Sequence, residues 1–261
     1  IMRVLTWNVN SIRMRLQQLL NLIENETFDV ICLQETKASD DAFPSKAIED
    51  AGYNVYLNGT PAYNGVAILS KRKASKIYMH KFCGKDDARH LSILIEKINI
   101  HSIYVPAGGD VADVSENIKF DHKLKFLDEM KRFFIRKEKK IDLICGDLNV
   151  APYEDDVWSH NQLKNVVSHT DVERTKLIEV IKSGGFVDVI RSCISPPDNV
   201  FTWWSYRSKD FKKNNRGRRL DHIWVTNDPS IKIVESKIIE STRSLEKPSD
   251  HVPLFFEFKT I

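Results

Sequence analysis

Short apolar runs of strand length recur along the whole chain, and a polar residue closes nearly every one. Residues 2–7, 29–33, 53–57, 65–70, 77–79, 91–95 and 98–105 form a first series. Residues 141–145, 187–190, 201–204, 220–225, 231–239 and 252–258 form a second. Runs this short, rich in β-branched and aromatic side chains and bounded by turn formers, predict strands. Runs 91–95 and 98–105 read as a hairpin turning near Lys97. Three longer segments carry apolar residues at helical spacing instead. Leu16, Leu19, Leu20, Leu22 and Ile23 make one stripe. Ile118, Leu124, Leu127, Met130 and Phe134 make a second, in a helix expected over residues 117–137. The third follows the capping box Thr170-Asp-Val-Glu173 and ends at Gly184-Gly185. A short helix over residues 45–51 is opened by Pro44 and stopped by Gly52. No linker or low-complexity stretch divides the 261 residues. The pattern predicts one α/β domain spanning 1–261: two mixed sheets packed face to face, with helices on both outer sides.

The stretch Ile141-Asp-Leu-Ile-Cys-Gly-Asp-Leu-Asn-Val-Ala-Pro152 concentrates the chemistry. Gly146 is expected to end the strand, with Asp147 and Asn149 standing two residues apart just beyond it. If the backbone stays extended there, both side chains point to one side. A carboxylate and a carboxamide so placed can handle a water, a proton or a phosphate oxygen; the same residues would equally suit an Asx turn. The pattern repeats elsewhere. Asn8, Glu35, Asp221 and the pair Asp250/His251 fall at or beside strand ends, and Tyr104 near the end of its own strand. Each alone fits a turn or a surface charge. Together they point to a site, because α/β sheets collect ligands at strand ends.

These residue types suit one kind of reaction. Oxygen donors match Mg²⁺, or Mn²⁺, which take phosphate oxygens directly. Zinc would call for His and Cys clusters, and none is spaced for it. Phosphoryl chemistry needs a cation, a group that orients or deprotonates water, and donors aimed at the non-bridging oxygens. A His beside a carboxylate holds a fixed tautomer and can donate to phosphate. No G-x-x-x-x-G-K-[ST] loop, G-x-S-x-G elbow or G-x-G-x-x-G fingerprint occurs, so triphosphate use and serine-type hydrolysis lack support.

The formal charge of +3 is too weak to argue for nucleic acid by itself. The four cysteines, Cys32, Cys83, Cys145 and Cys193, lie far apart, and free thiols in a reducing compartment are expected. No apolar run approaches a membrane span, no signal-peptide pattern opens the chain, and Met2 is the expected native start. A cytoplasmic protein is expected.

Six motifs in chain order resemble a known family. They are Trp7-Asn8-Val-Asn10-Ser-Ile-Arg13, Leu33-Gln-Glu35-Thr-Lys37, Tyr104-Val-Pro106, Gly146-Asp147-Leu-Asn149, Asn215-Arg-Gly217-Arg-Arg-Leu-Asp221 and Ser249-Asp250-His251-Val-Pro253. They look like the exonuclease III branch of the AP endonucleases, within the endonuclease/exonuclease/phosphatase superfamily. The resemblance implies a four-layer α/β sandwich with the site at one edge of the paired sheets. It implies divalent-metal-dependent hydrolysis of DNA 5′ to abasic sites, with 3′-to-5′ exonuclease and 3′-end repair activity. Glu35 would be the principal metal ligand, with Asn8 beside it and Asp250 in the metal region. Asp147 would activate water or protonate the leaving oxygen, and Asn149 would orient water and phosphate. Tyr104 would reach the phosphate or leaving group, and His251, held by Asp221, would polarise a phosphate oxygen. Ala107, Asp110, Asn10 and Arg218 depart from residues seen in relatives, which bears on pocket shape and DNA grip.

Residues 207–219 carry seven bases against one acid, Asp210, directly after Thr202-Trp203-Trp204. Bases interleaved with aromatics fit phosphate gripping and insertion into a lost-base gap. Alternation sends the two tryptophans to opposite faces; Trp203 is assigned to DNA and Trp204 to the core. Arg207, Lys212, Lys213, Arg216, Arg218 and Leu220 are the further DNA-side candidates, and Lys209 and Arg219 complete the basic run. A second basic run, residues 131–140, reads as solvated surface after a helix end. The leading expectation is a monomeric nuclease, associated with the nucleoid, on double-stranded DNA with abasic sites or 3′ ends. A phosphatase of small phosphoesters and a catalytically silent DNA-binding module are the alternatives.

Overall fold

In β1 the residues alternate between two buried faces: Val4 turns one way with Met2, Leu5 the other with Trp7. A strand buried on both sides needs cover on both, and that requirement explains the layering. The computed structural model describes residues 1–135, 140–208 and 210–261. Its strands are β1 (Met2–Asn8), β2 (Val30–Gln34), β3 (Asn54–Asn58), β4 (Val66–Ser70), β5 (Lys76–Tyr78) and β6 (His90–Ile95). They continue with β7 (Ile98–Tyr104), β8 (Ile141–Asp147), β9 (Phe186–Asp188), β10 (Asp221–Thr226), β11 (Ile231–Ile238) and β12 (Leu254–Thr260). The helices are α1 (Ile12–Asn25), α2 (Ser45–Asp50), α3 (Ile118–Phe133), α4 (His160–Leu163), α5 (Asp171–Gly184), α6 (Val189–Cys193) and α7 (Phe211–Asn214).

Two six-stranded mixed sheets result, ordered β11-β12-β1-β2-β4-β3 and β5-β6-β7-β8-β10-β9. Each has one parallel pair at its centre, β1 with β2 and β7 with β8, flanked by antiparallel partners. Val4, Cys32 and Ile68 of the first sheet meet Ile100, Leu143 and Cys145 of the second in a shared apolar layer. The outer face of the first sheet packs Leu5, Trp7 and Ile31 on Ile12, Leu19 and Ile48 of α1 and α2. The outer face of the second packs Ile103, Ile144 and Trp224 on Phe126, Met130 and Leu177 of α3 and α5. The expected two-sheet α/β sandwich is therefore present. Cys32 and Cys145 are buried free thiols, and Cys83 and Cys193 are free as well.

Several boundaries differ from the sequence reading for local reasons. β8 does not stop at Gly146 but runs on to Asp147. A Cβ at Gly146 would lie 1.9 Å from the Ile103 carbonyl oxygen, so glycine permits close strand pairing here rather than ending the strand. Ile118 sits at the first position of α3 and is 81% exposed; Phe120 and Phe126 join Leu127 and Met130 on the buried face instead. Residues 136 and 137, the expected end of that helix, lie outside the described residues. The run at 187–190 splits, because Asp188 ends β9 and its side chain accepts from the Arg191 backbone N–H to cap α6. Residues 201–204 form no strand; Trp203 makes only single bridges to Arg218 and His251. The Thr170 box and the left-handed Gly185 cap delimit α5 as expected.

Candidate active site

Parallel pairing of β1 and β2 sets Asn8 opposite Gln34, one residue before Glu35. In the second sheet the register aligns Tyr104, Asp147 and Asp221 in one row across β7, β8 and β10. Residues paired in register turn to the same face, so each row acts as a unit. The two rows meet where the sheets face each other. Asn8 Nδ2 donates to Glu35 Oε1 and to Asp147 Oδ2, at 2.9 Å each, and so ties one sheet to the other. The Tyr104 hydroxyl donates to the same Glu35 oxygen at 2.9 Å.

His251 enters from the turn before β12. Its backbone carbonyl accepts from Trp7 Nε1 at 3.1 Å, and its backbone N–H donates to Ser249 Oγ. Its Nδ1 lies 2.8 Å from Asp221 Oδ2, which fixes the ring, and its Nε2 lies 3.6 Å from Asp147 Oδ2. Thr202 Oγ1 donates to that same Asp221 oxygen at 2.6 Å. Glu35 and Asn149 have left-handed backbones, φ 48° and 52°, a conformation asparagine adopts readily and glutamate holds only when its surroundings favour it. Asn149 is thus not in extended continuation of β8. Its backbone N–H donates to Asp147 Oδ1 and its amide to the Val105 carbonyl, so the Asx turn is formed, at the rim where the other strand-end residues gather.

Charge is crowded here. Burial pushes the Asp147 carboxyl up to about 7, against the pull of His251, with Asp221 and Glu35 adding repulsion. Burial opposes a charged His251, yet Asp221 and Asp147 outweigh it and hold the imidazole well above its usual value. Burial, Glu35 and Asp147 raise the Tyr104 phenol, which keeps its proton. Burial pushes Asp250 up, but His251, Trp203 and Asn10 prevail and lower it.

Glu35, Asp147 and His251 each offer a ligand atom within 4.8 Å of the others. Two carboxylates that repel one another at the rim of the sheets fit a hard divalent cation, which would relieve that repulsion. Asp250 lies beside this trio rather than in it. One of its oxygens accepts from Asn10 Nδ2 at 3.0 Å and the other from Trp203 Nε1 at 2.9 Å.

The cluster opens into a cavity of about 530 Å³, whose walls include Trp203, Arg207, Arg218 and Leu220. Trp204 is core, 2% exposed, against Phe201 and Phe211. Lys212, Lys213 and Arg216 are exposed on the neighbouring surface outside the cavity, with Arg216 stacked on Trp158. Arg219, counted among the bases of this loop, is not available to DNA: it is fully buried on Asp156 and Asp188. Lys209 lies outside the described residues. In the second basic run Lys131 pairs with Glu179 at 2.9 Å, in keeping with a surface role.

Sequence reasoning missed three supports. Lys37 Nζ sits 3.1 Å from Glu35 Oε2. Thr202 shares the Asp221 oxygen with His251, and nothing in the local pattern marks it. Lys123 is wholly buried, donates to the carbonyls of Asn149 and Ala107, and pairs with Glu173 at 2.5 Å. A lysine on the apolar face of α3 was the available signal.

The comparisons agree with this geometry. The profile of the Endonuclease/Exonuclease/phosphatase family matches residues 5–251. Exodeoxyribonuclease III of Haemophilus influenzae is 31% identical over 99% of this chain and 100% of its own length. An AP endonuclease from Archaeoglobus fulgidus superposes with a TM-score of 0.91, at 31% identity over 99% of each chain. A 3′ phosphatase from Neisseria, solved with a product DNA hairpin, gives 0.92 at 28% identity over 99% of this chain and 100% of that one. Fold, site and motif order converge, and the chain belongs to the endonuclease/exonuclease/phosphatase family, a homologue of exodeoxyribonuclease III among phosphodiester hydrolases.

Proposed function

We propose that residues 1–261 act as a single DNA-repair nuclease domain, which hydrolyses the DNA phosphodiester 5′ to abasic sites and trims or repairs 3′ ends. The observation that carries this reading is the convergence of Glu35, Asp147 and His251 within 4.8 Å at the rim of both sheets. Mg²⁺, with Mn²⁺ as a substitute, would be held by Glu35 with Asp147 close by, and would supply charge neutralisation at the phosphate. The protonated His251, oriented by Asp221, donates to a non-bridging oxygen. Tyr104, a phenol that keeps its proton, donates in the same region. Asn8 and Asn149 keep Asp147 aligned.

Attack by water forms a new P–O bond, breaks the P–O3′ bond and leaves O3′ to be protonated. Asp147, with an affinity for protons near neutrality, is suited to take the proton from water or to deliver it to O3′. Trp203, Arg207, Arg218 and Leu220 would meet the duplex at the cavity, and Lys212, Lys213 and Arg216 would hold the flanking phosphates. Among the described residues no helix is long and apolar enough to cross a membrane. We read the protein as a monomer that works in the cytoplasm on double-stranded DNA. One gel assay tests this: a duplex with a single abasic analogue beside an intact blunt duplex, with Mg²⁺ and with EDTA. Incision at the analogue, or shortening of the blunt 3′ ends, that EDTA abolishes is expected. No metal-dependent cleavage of either substrate would remove the proposal.

A further inference from the structure

Arg218 and Arg219 are neighbours with opposite fates. Arg219 pairs through Nη1 and Nη2 with two carboxylates inside the fold. Arg218 lines the cavity that also holds Asp147 and His251. Its Nη1 donates to two neutral acceptors, the Val167 carbonyl at 3.2 Å and Ser168 Oγ at 2.8 Å. Its Nε is buried without a hydrogen-bond partner, as is that of Arg219, but among the described residues no carboxylate forms an ion pair with Arg218, whereas Arg219 has two. Its guanidinium lies 5.4 Å over the Trp203 ring, and that indole is pinned in turn by Asp250. Val166, Val167 and Leu220 line the same cavity, together with the polar Ser168 and Ser205 and the charged Arg207, Asp110 and Asp250. A half-buried cation with no carboxylate in contact, and only the more distant Glu173 acting on it, attracts an anion more strongly than a solvated one would, because the surroundings screen it less.

We propose that Arg218 is a specificity-determining residue, selecting substrates by the group esterified on the far side of the scissile phosphate. Resting on the nuclease reading above, it favours 3′ ends whose released fragment is anionic close to that phosphate, over internal abasic sites whose fragment there is a neutral sugar. A carboxylate matches the planar fork of a guanidinium, and a terminal phosphoryl group brings extra charge. An uncharged deoxyribose offers neither, and would leave the cation unpaired.

The test compares kcat/KM on three duplexes with Mg²⁺: one ending in a 3′-phosphoglycolate, one in a 3′-phosphate, and one with an internal tetrahydrofuran abasic analogue. For Arg218→Leu, the ratio of glycolate to abasic cleavage is expected to fall about tenfold, the effect of one charge-assisted hydrogen bond. The 3′-phosphate ratio falls in the same direction, and Arg218→Lys recovers part of both. Should the leucine variant fold poorly in a thermal melt, Arg218→Gln removes the charge while keeping a donor for Val167 and Ser168, and gives the same readout. Equal losses on all three duplexes would reduce Arg218 to a structural wall and overturn the inference, leaving the nuclease reading intact. A wild-type protein that cleaves none of them overturns both.

Discussion

Arg219 and Asp221 stand two residues apart, yet they enter charge clusters of opposite character. Around Arg219 the books balance: Arg219 and Arg191 face Asp156 and Asp188, with each carboxylate engaged at 3.0 Å or less. Burial pushes the Asp156 carboxyl up, but the two arginines overcome it and hold it low. Around Asp221 acids predominate, since Asp147, Glu35 and Asp250 gather near the single imidazole of His251 and the Lys37 amine. The first cluster is complete within the protein and ties the loop before β10 to β9 and α6. The second is held together by the rest of the fold, and on the proposed reading a bound cation and phosphate would complete it. Buried charge marks structure when it is matched and function when it is left in surplus.

The largest expected effect lies on the surplus side. Asp147→Asn and His251→Ala should each lower cleavage on the order of 10²–10⁴-fold, with duplex binding and the melting transition largely kept. Near-normal cleavage by both variants would break the comparison. On the matched side, Asp156→Ala strands the Arg191 guanidinium and leaves Arg219 with Asp188 alone, and should cost roughly 3–5 kcal/mol in denaturant unfolding. If that variant instead unfolded normally and lost only activity, the cluster would belong to the site. A smaller effect is expected at the cavity wall, where Trp203→Ala should weaken duplex binding by roughly 1–3 kcal/mol. Lys212→Ala and Lys213→Ala should each reduce the salt slope of binding by about one.

The smallest effect sharpens the contrast through pH. The folded-state pKa of Asp147 is raised to about 7, above its ordinary value of 3.8, so this group favours the folded state at low pH and loses that contribution as pH rises through 7. In EDTA at pH 8, Asp147→Asn should therefore melt a few degrees higher than the wild type, and the gap should close as pH falls from 7 towards 4. Mg²⁺ should raise the wild-type melting temperature more than that of the variant. A gap that persists unchanged at pH 4 would show that the carboxylate is not penalised by its neighbours.

The sandwich was legible because each layer leaves its own periodicity. Leu16 to Ile23 announces a helix, and the run ending at Trp7 announces a strand buried on both faces. The site was legible as a set of types at strand ends, since parallel strands place their last residues along one rim. What escaped was anything fixed by tertiary packing. Arg218 and Arg219 look alike in a basic loop, and only the position of Asp156 and Asp188 sends one inward. Ile118 fits the helical stripe of α3, but it is the first residue of that helix and faces solvent, while Phe120 in the same turn is buried. The run at 187–190 has strand propensity throughout, and a capping aspartate ends the strand within it.

The pairing of β12 with β1 brings the last described strand against the first. Asn8 and His251, which both reach Asp147, are separated by most of the polypeptide. If the proposed roles hold, a growing chain would assemble its site last, once the segment bearing His251 has emerged and paired with β1. On the proposed reading, a fragment truncated before that turn should bind no productive cation and should not cleave DNA.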